Sequence, residues 1–465
     1  MWRGLALLVL VYLFVVYVIP KPDAVKIEGW RMAGIFAATI VGSITQPIPG
    51  GALVLLAITL TAATGTLKIG EALAGYADPS VWLVIAAFII SRALIDTGLA
   101  RRIALQFVRM FGKSSLGVSY SLAMSDMVLA GMIPSNGARS GGVIMPIAKS
   151  IAELYGSRPG ATSGLLGCFL MTAAYQSVCV TAAMFYTGQA SNPLAARMAA
   201  DVGVQVTWTS WFFAGLAPGL CSLALVPWVV MKMNPPAIRH TPEAAAFASR
   251  LLDELGPMRK KEKILTAVFA GVAILWMTSA TRYGMDITVT ALLGCVVLIA
   301  TGVLSWEDVK TERSGWDIFV WYGGFLRMAK ALNDFGVTKA FAEQVGHTFS
   351  NLGWVGLFAV ALIIYFYAHY GFASITAHLL SMYPPFLAVL LIKGAPAGLM
   401  VYAFACFANL SSGLTNYGTT PSPIYFAQGY VSLGQWWKVG FVVSIVNIAI
   451  WSTVGFAWWH LLGIW

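Results

Sequence analysis

The sequence predicts an all-α polytopic membrane protein built from two inverted repeats, with about 11 transmembrane helices of ~20 residues each, two re-entrant hairpins and broken helices. Three observations carry this expectation. The first is composition: 58% hydrophobic residues, 10% charged residues and a mean hydropathy of +0.77 over 465 residues lie far outside the soluble range. The second is the polar, helix-breaking knot Pro134-Ser135-Asn136-Gly137-Ala138-Arg139-Ser140-Gly141-Gly142, set between apolar arms at 114–133 and 143–151. Bare backbone at membrane depth persists only where protein or a watery cavity satisfies it, so the knot reads as a hairpin tip and a binding loop. The third is a second copy, Ala373-Ser374-Ile375-Thr376-Ala377-His378, after the apolar run 355–372. Around the two copies, Asp96-Thr97-Gly98 aligns with Asp334-Phe335-Gly336, and Ser135-x-x-Ala138 with Ser374-x-x-Ala377. Interrupted hydrophobic segments at matching places in two halves point to a secondary transporter with its site where the halves meet.

Other classes find little support. The net charge of +10 comes from Lys and Arg gathered in short loops, which is a topology signal and not a nucleic-acid face. Cys168, Cys179, Cys221, Cys295 and Cys406 lie in apolar segments without ligand-like spacing, so no disulfide framework, metal or cofactor is expected. Gly112-Lys113-Ser114 imitates the end of a P-loop, but Phe107 stands where the first Gly belongs. Neither a His-Glu-x-x-His motif nor a Gly-x-Ser-x-Gly elbow occurs, so no enzyme is expected.

Taken in order, residues 1–79 read as scaffold helices, with an uncleaved first helix at 5–19 and the turn Gln46-Pro47-Ile48-Pro49-Gly50-Gly51 between 31–44 and 51–67. The first repeat spans 80–233. It holds a helix at 80–95, a basic surface helix at 99–111, the hairpin 114–152, a long helix at 160–186 that breaks at Thr187 to Pro193, and a crossing at 208–233. The stretch 234–263 is a linker, cytoplasmic by its Arg239, Arg250, Arg259, Lys260 and Lys261. The second repeat, 264–465, holds helices at 264–280, 287–304 and 316–333, the hairpin 352–393, a helix at 396–416 that breaks at Tyr417 to Pro423, and a closing segment at 436–465. Trp436, Trp437, Trp458, Trp459 and Trp465 are expected as interfacial anchors. An odd number of crossings puts the N-terminus in the cytoplasm and the C-terminus outside an inner (plasma) membrane.

A polyanion at mid-membrane needs donors and cations, because an unpaired ion there costs several kcal/mol. Ser135, Asn136, Ser374 and Thr376, with Gly137 at the first tip, supply short neutral groups that hold a carboxylate and release it. Thr187, Asn192, Pro193, Thr419, Thr420 and Ser422 would frame the same cavity from the breaks. The plainer alternative is that these residues only pack helices. Arg139 and His378 follow the two tips at near-equivalent positions and offer positive charge; alternatively, Arg139 pairs with Asp126 and His378 bonds a neighbouring carbonyl. Asp96, Asp126, Asp317 and Asp334 are candidate proton relays, with Asp96 and Asp334 better read as caps or anchors.

The segment 133–142 with Met145-Pro146-Ile147 resembles the Ser-Asn-Thr hairpin motif of the divalent anion/sodium symporter family. Tyr175-Gln176, Ala183-Met184-Phe185, and the stretches 373–383 and 413–431 resemble its citrate/succinate and oxoglutarate/malate antiporter subgroup, with departures at Gly137, Ile375 and Asn416. The resemblance implies alternating-access exchange of organic di- or tricarboxylates of the succinate, malate, 2-oxoglutarate, citrate or tartrate class, and a homodimer in the lipid bilayer. In sodium-coupled relatives a Na⁺ is expected near each tip; here Arg139 and His378 would stand in its place, giving exchange without Na⁺. The alternatives are a Na⁺- or H⁺-coupled symporter of the same fold and, in another class, an anion channel or intramembrane enzyme.

Overall fold

The computed structural model describes residues 2–278, 285–348 and 351–465, and within them the secondary structure is helical, with one isolated bridge between Ser114 and His240. Among the described residues seven helices are long and apolar enough to cross a membrane: Pro79–Asp96, Gly167–Met184, Trp208–Met233, Trp354–Gly371, Ile375–Ile392, Ala397–Leu414 and Leu433–Leu461. Trp2–Val18, Gly50–Ala63 and Ile287–Ala300 are apolar but shorter. The expected helix end at 279–280 lies outside the described residues.

Local chemistry sets the boundaries. Asp78 accepts from Ser80 N at 2.9 Å and Pro79 takes the first position, so Pro79–Asp96 starts where its orphan donors are met. Gly98, at φ 82°, turns the chain into the amphipathic Leu99–Phe111. The expected long helix at 160–186 begins only at Gly167, because Ser157 Oγ accepts from Leu166 N and Gly167 N and closes a loop before it.

The order of elements recurs. Ile27–Thr45, Gly50–Ala63, Ile69–Leu73, Pro79–Asp96 and Leu99–Phe111 precede one helical hairpin, Ser115–Ala130 and Gly137–Leu154. Lys260–Thr278, Ile287–Ala300, Trp306–Lys310, Arg313–Asp334 and Val337–Thr348 precede the other, Trp354–Ala368 and Ile375–Ile392. Each hairpin leads into a helix that stops and restarts: Gly167–Met184 then Ser191–Asp201, and Ala397–Leu410 then Pro421–Phe426. Packing is reciprocal between the halves: Gly50–Ala63 lies on Arg313–Asp334, and Ile287–Ala300 on Pro79–Asp96. Likewise Ser191–Asp201 meets Ile375–Ile392, while Pro421–Phe426 meets the start of the first hairpin's second arm. Each half ends in a long helix pressed on the break through a glycine. A Cβ at Gly215 would stand 2.5 Å from Met184 O, and one at Gly440 2.5 Å from Gly413 O.

Two expectations need correction. Leu99–Phe111 does not simply lie on the membrane surface: the linker folds into a helix, Pro242–Leu255, that packs on it. Arg102 turns into that contact, pairing with Glu262 at 2.8 Å and donating to Gly256 O at 2.8 Å. Nor do Trp436 and Trp459 serve as interfacial anchors, since both rings are buried in the bundle; Trp437 and Trp465 remain exposed.

Candidate functional site

A cavity of ≈ 580 Å³ lies where the halves meet. The first tip contributes Pro134, Ser135 and Asn136, and the second Ala373 to Ala377. The breaks contribute Gln189 and Ala190 on one side and Tyr417, Thr419 and Thr420 on the other. The size is within the ~300–1,000 Å³ of small-molecule sites.

Both tips have the same local construction. Ser135 Oγ accepts from Ala138 N at 3.1 Å and Ser135 O from Arg139 N at 2.9 Å. Ser374 Oγ accepts from Ala377 N at 3.4 Å and Ser374 O from His378 N at 3.1 Å. Each serine therefore caps the second arm of its hairpin and brings that helix N-terminus, with its partial positive charge, to the cavity wall. The restart Ser191–Asp201 begins beside Gln189 and Ala190 and does the same. Across the halves, Asn136 Nδ2 donates to Thr419 Oγ1 at 3.1 Å. Gly137 permits this approach, since a Cβ there would stand 2.7 Å from Thr420 Cγ2.

Of the substrate-site residues expected from the sequence, Ser135, Asn136, Ser374, Thr376, Thr419 and Thr420 line the cavity. Gly137 sits directly behind its wall. The others do not line it. Thr187 donates to Gly131 O at 2.9 Å, fastening the first break to the first hairpin. Asn192, followed by the buried Pro193, donates to Ala182 O and Phe185 O, both at 2.8 Å, and accepts from Asn409 at 2.8 Å. Ser422 Oγ meets Tyr175 OH at 2.5 Å. These side chains bond the freed backbone and neighbouring side chains, which is what a broken helix in a membrane requires.

Arg139 and His378 are corrected most. Arg139 is fully buried, and its Nε pairs with Asp126 Oδ1 at 2.8 Å while Thr181 bonds the other carboxylate oxygen. Its charge is therefore compensated within the first half. Its Nη1 donates to Ile133 O and Gly188 O, both at 2.9 Å, tying tip to break, and its Nη2 donates to Thr181 Oγ1 at 3.5 Å. In the second half the reach to the break comes from a histidine the sequence reading did not single out: His369 Nε2 donates to Gly418 O at 2.8 Å. His378 stands behind it, Nδ1 to Nδ1 at 2.9 Å, buried and off the cavity wall. Gly188 and Gly418 hold the same place in the two breaks, five residues before Pro193 and Pro423. In each half, then, a nitrogen donor occupies the equivalent glycine carbonyl.

The opposite wall was not foreseen as part of the site, although the sequence marked Asp317 as a candidate proton relay and Gln46 as the start of a turn. Ser43, Gln46, Ser314, Asp317 and Trp321 face the tips from Ile27–Thr45 and Arg313–Asp334. Gln46, with φ 46°, is the one non-glycine at positive φ among the described residues. Asp317 is the one Asp, Glu, Lys, Arg or His lining the cavity among the described residues.

Paired helical hairpins and paired helix breaks that close on one polar cavity, in a bundle of membrane-length helices, define a membrane transporter. The chain belongs to the family described as the sodium:sulfate symporter transmembrane region, whose model matches residues 1–465. It is 42% identical over 453 residues to the putative malate transporter YflS of Bacillus subtilis (strain 168), covering 97% of this chain and 95% of that one. It is 40% identical over 455 residues to the chloroplastic dicarboxylate transporter 1 of Arabidopsis thaliana, covering 97% and 82%. The crystal structure of the Alcanivorax borkumensis YdaH transporter shares the fold, with a TM-score of 0.55 at 15% identity over 87% of this chain and 89% of that chain. Family and relatives are transporters and not enzymes, and the chain is a multi-pass membrane protein.

Proposed function

We propose that this chain carries organic dicarboxylates of the malate and succinate class by alternating-access exchange without Na⁺. One observation carries the reading: two capped helix N-termini and the short groups Ser135, Asn136, Ser374, Thr376, Thr419 and Thr420 converge on one cavity from both halves. Helix N-termini and hydroxyl or amide donors suit carboxylate oxygens, and several weak contacts allow release. The names of two relatives, a putative malate transporter and a dicarboxylate transporter, agree with that chemistry. Counterflow into proteoliposomes tests it. Malate or succinate loaded inside is expected to drive uptake of labelled succinate, and sulfate inside is not; stimulation by sulfate alone would overturn the substrate class.

Na⁺ independence rests on the glycine carbonyls. Unwound backbone carbonyls are the usual Na⁺ ligands at such breaks, and here Arg139 and His369 already donate to Gly188 O and Gly418 O. Asp126 compensates Arg139, so an empty site is not left with a bare guanidinium. What substrate compensates is the positive ends of the helices, and obligatory exchange follows if only the loaded carrier crosses readily. A cation-coupled symporter is the second reading, and Asp317 on the cavity wall is the observation that favours it.

We read the hairpins as re-entrant, with their tips meeting at mid-membrane, and the repeats as inverted. The recurring order supports repeats at 27–233 and 260–461, so that the first includes two helices that the sequence reading left in the scaffold. The linker is cytoplasmic and the C-terminus outside. Four of the five cysteines are buried, so a Cys221→Ser background suits labelling. An impermeant thiol reagent applied to intact cells is expected to label a cysteine placed after Trp465 and to spare one at Arg250. The reverse pattern would invert the topology. A homodimer is the expected assembly.

A further inference from the structure

Behind the second tip, the hydrogen bonds of His369 and His378 leave room for one proton. Gly418 O can only accept, so His369 Nε2 carries a hydrogen. In a neutral His369 the Nδ1 is then bare, and the 2.9 Å contact between the two Nδ1 atoms requires His378 Nδ1 to donate. His378 Nε2 is left as an unprotonated nitrogen, fully buried and without a hydrogen-bond partner. It is the one free lone pair of the pair.

The surroundings hold no fixed charge among the described contacts. Tyr365, from Trp354–Ala368, lies over His378 at 4.3 Å between ring centres, and Phe372 packs on it at 5.1 Å. Tyr383 and Cys406 stand beyond Tyr365, and Gly418 and Thr415 close the side of the break. A proton on this pair therefore has no carboxylate among the described residues' contacts to meet it. The pair nonetheless sits next to the cavity: Thr376 and Ala377 precede His378 on the lining, and Tyr417 and Thr419 flank Gly418 there.

We propose that the His369–His378 pair is a proton site that loads with the substrate: a dicarboxylate dianion at the second tip supplies the counter-charge, and His378 Nε2 takes up a proton as it binds. This rests on the dicarboxylate reading above. In the empty carrier the buried proton is uncompensated and leaves; with a dianion alongside, the same charge is attractive. By linkage, substrate affinity then rises as pH falls through the pair's titration. The two halves divide the work, with a permanently compensated Arg139 in the first and a loadable charge in the second.

Calorimetry of succinate binding to the purified full chain, in buffers of different ionisation enthalpy, counts protons taken up per substrate. Between about pH 6 and 7.5 the slope is expected to be positive, growing as pH falls. It is expected to vanish in His378→Gln and to persist in Asp317→Asn, which removes the carboxylate that lines the cavity. Binding with zero slope in the wild-type chain across that range would overturn the proposal without touching the substrate assignment. So would a slope lost in Asp317→Asn and kept in His378→Gln. Absence of binding heat for any dicarboxylate would overturn the substrate reading, and this proposal with it.

Discussion

Asp126→Ala is expected to be among the most damaging single changes in the chain, lowering stability by about 3–5 kcal/mol, because it leaves Arg139 charged, buried and unpaired. Both members of the pair are buried, at 0% and 1% side-chain exposure, so water cannot screen the orphaned guanidinium. Arg139→Ala strands the carboxylate in the same way and also frees the carbonyls of Ile133 and Gly188. Replacing both, Asp126→Leu with Arg139→Met, is expected to recover most of the stability, since two apolar side chains of similar volume carry no desolvation cost. It is not expected to recover transport, because the ties that Arg139 makes from Ile133 O at the first tip to Gly188 O at the first break are then lost. Heating in detergent, followed by the loss of the monodisperse peak, separates the three variants. A double replacement as unstable as the singles would show that the pair matters for more than charge neutrality.

The second large effect falls on the tips. Asn136→Ala removes a donor from the cavity wall and the 3.1 Å bond to Thr419 Oγ1 that joins the halves there. Thr376→Ala removes a hydroxyl from the opposite tip. Each is expected to cut succinate uptake about tenfold or more, the equivalent of ~1.4 kcal/mol, at wild-type abundance in the membrane. Only one of the two, Asn136→Ala, also breaks a bond between the halves, so it is expected to lower thermal stability slightly as well. Uptake unchanged in both variants would remove the tips from the site.

What the sequence made legible was backbone chemistry. Clusters of Pro, Gly, Ser and Asn inside an apolar chain have few uses, and their recurrence at one offset located both tips and both breaks. Six of the polar side chains marked for the substrate site, and Asp317 marked as a proton relay, line the cavity. Side-chain direction was not legible. Thr187, Asn192 and Ser422 occupy the same motifs as Thr419 and Thr420, and only the fold decides which turn to the cavity and which bond the freed backbone. Asp126 was a visible partner for Arg139, but a 13-residue separation does not tell a bonded pair from a coincidence. His369 escaped because it precedes its tip while Arg139 follows the other, so matching offsets led to His378. The far wall was legible only in pieces: Gln46 stood out as a turn and Asp317 as a possible proton relay, Trp321 carried no signal, and only tertiary packing brings them opposite the tips. Trp436 and Trp459 looked like interfacial anchors because sequence gives an aromatic's place along the chain and not its depth in the bundle.

The central claim is that anion exchange needs no Na⁺ because protein donors already hold Gly188 O and Gly418 O. Proteoliposomes containing the purified chain, either preloaded with unlabelled succinate or empty, put it to the test most directly when labelled succinate is added in Na⁺ or in K⁺ buffer. The account predicts equal uptake in the two buffers by preloaded vesicles and negligible uptake by empty ones. Uptake that requires Na⁺, or accumulation in empty vesicles under an inward Na⁺ gradient, would contradict it.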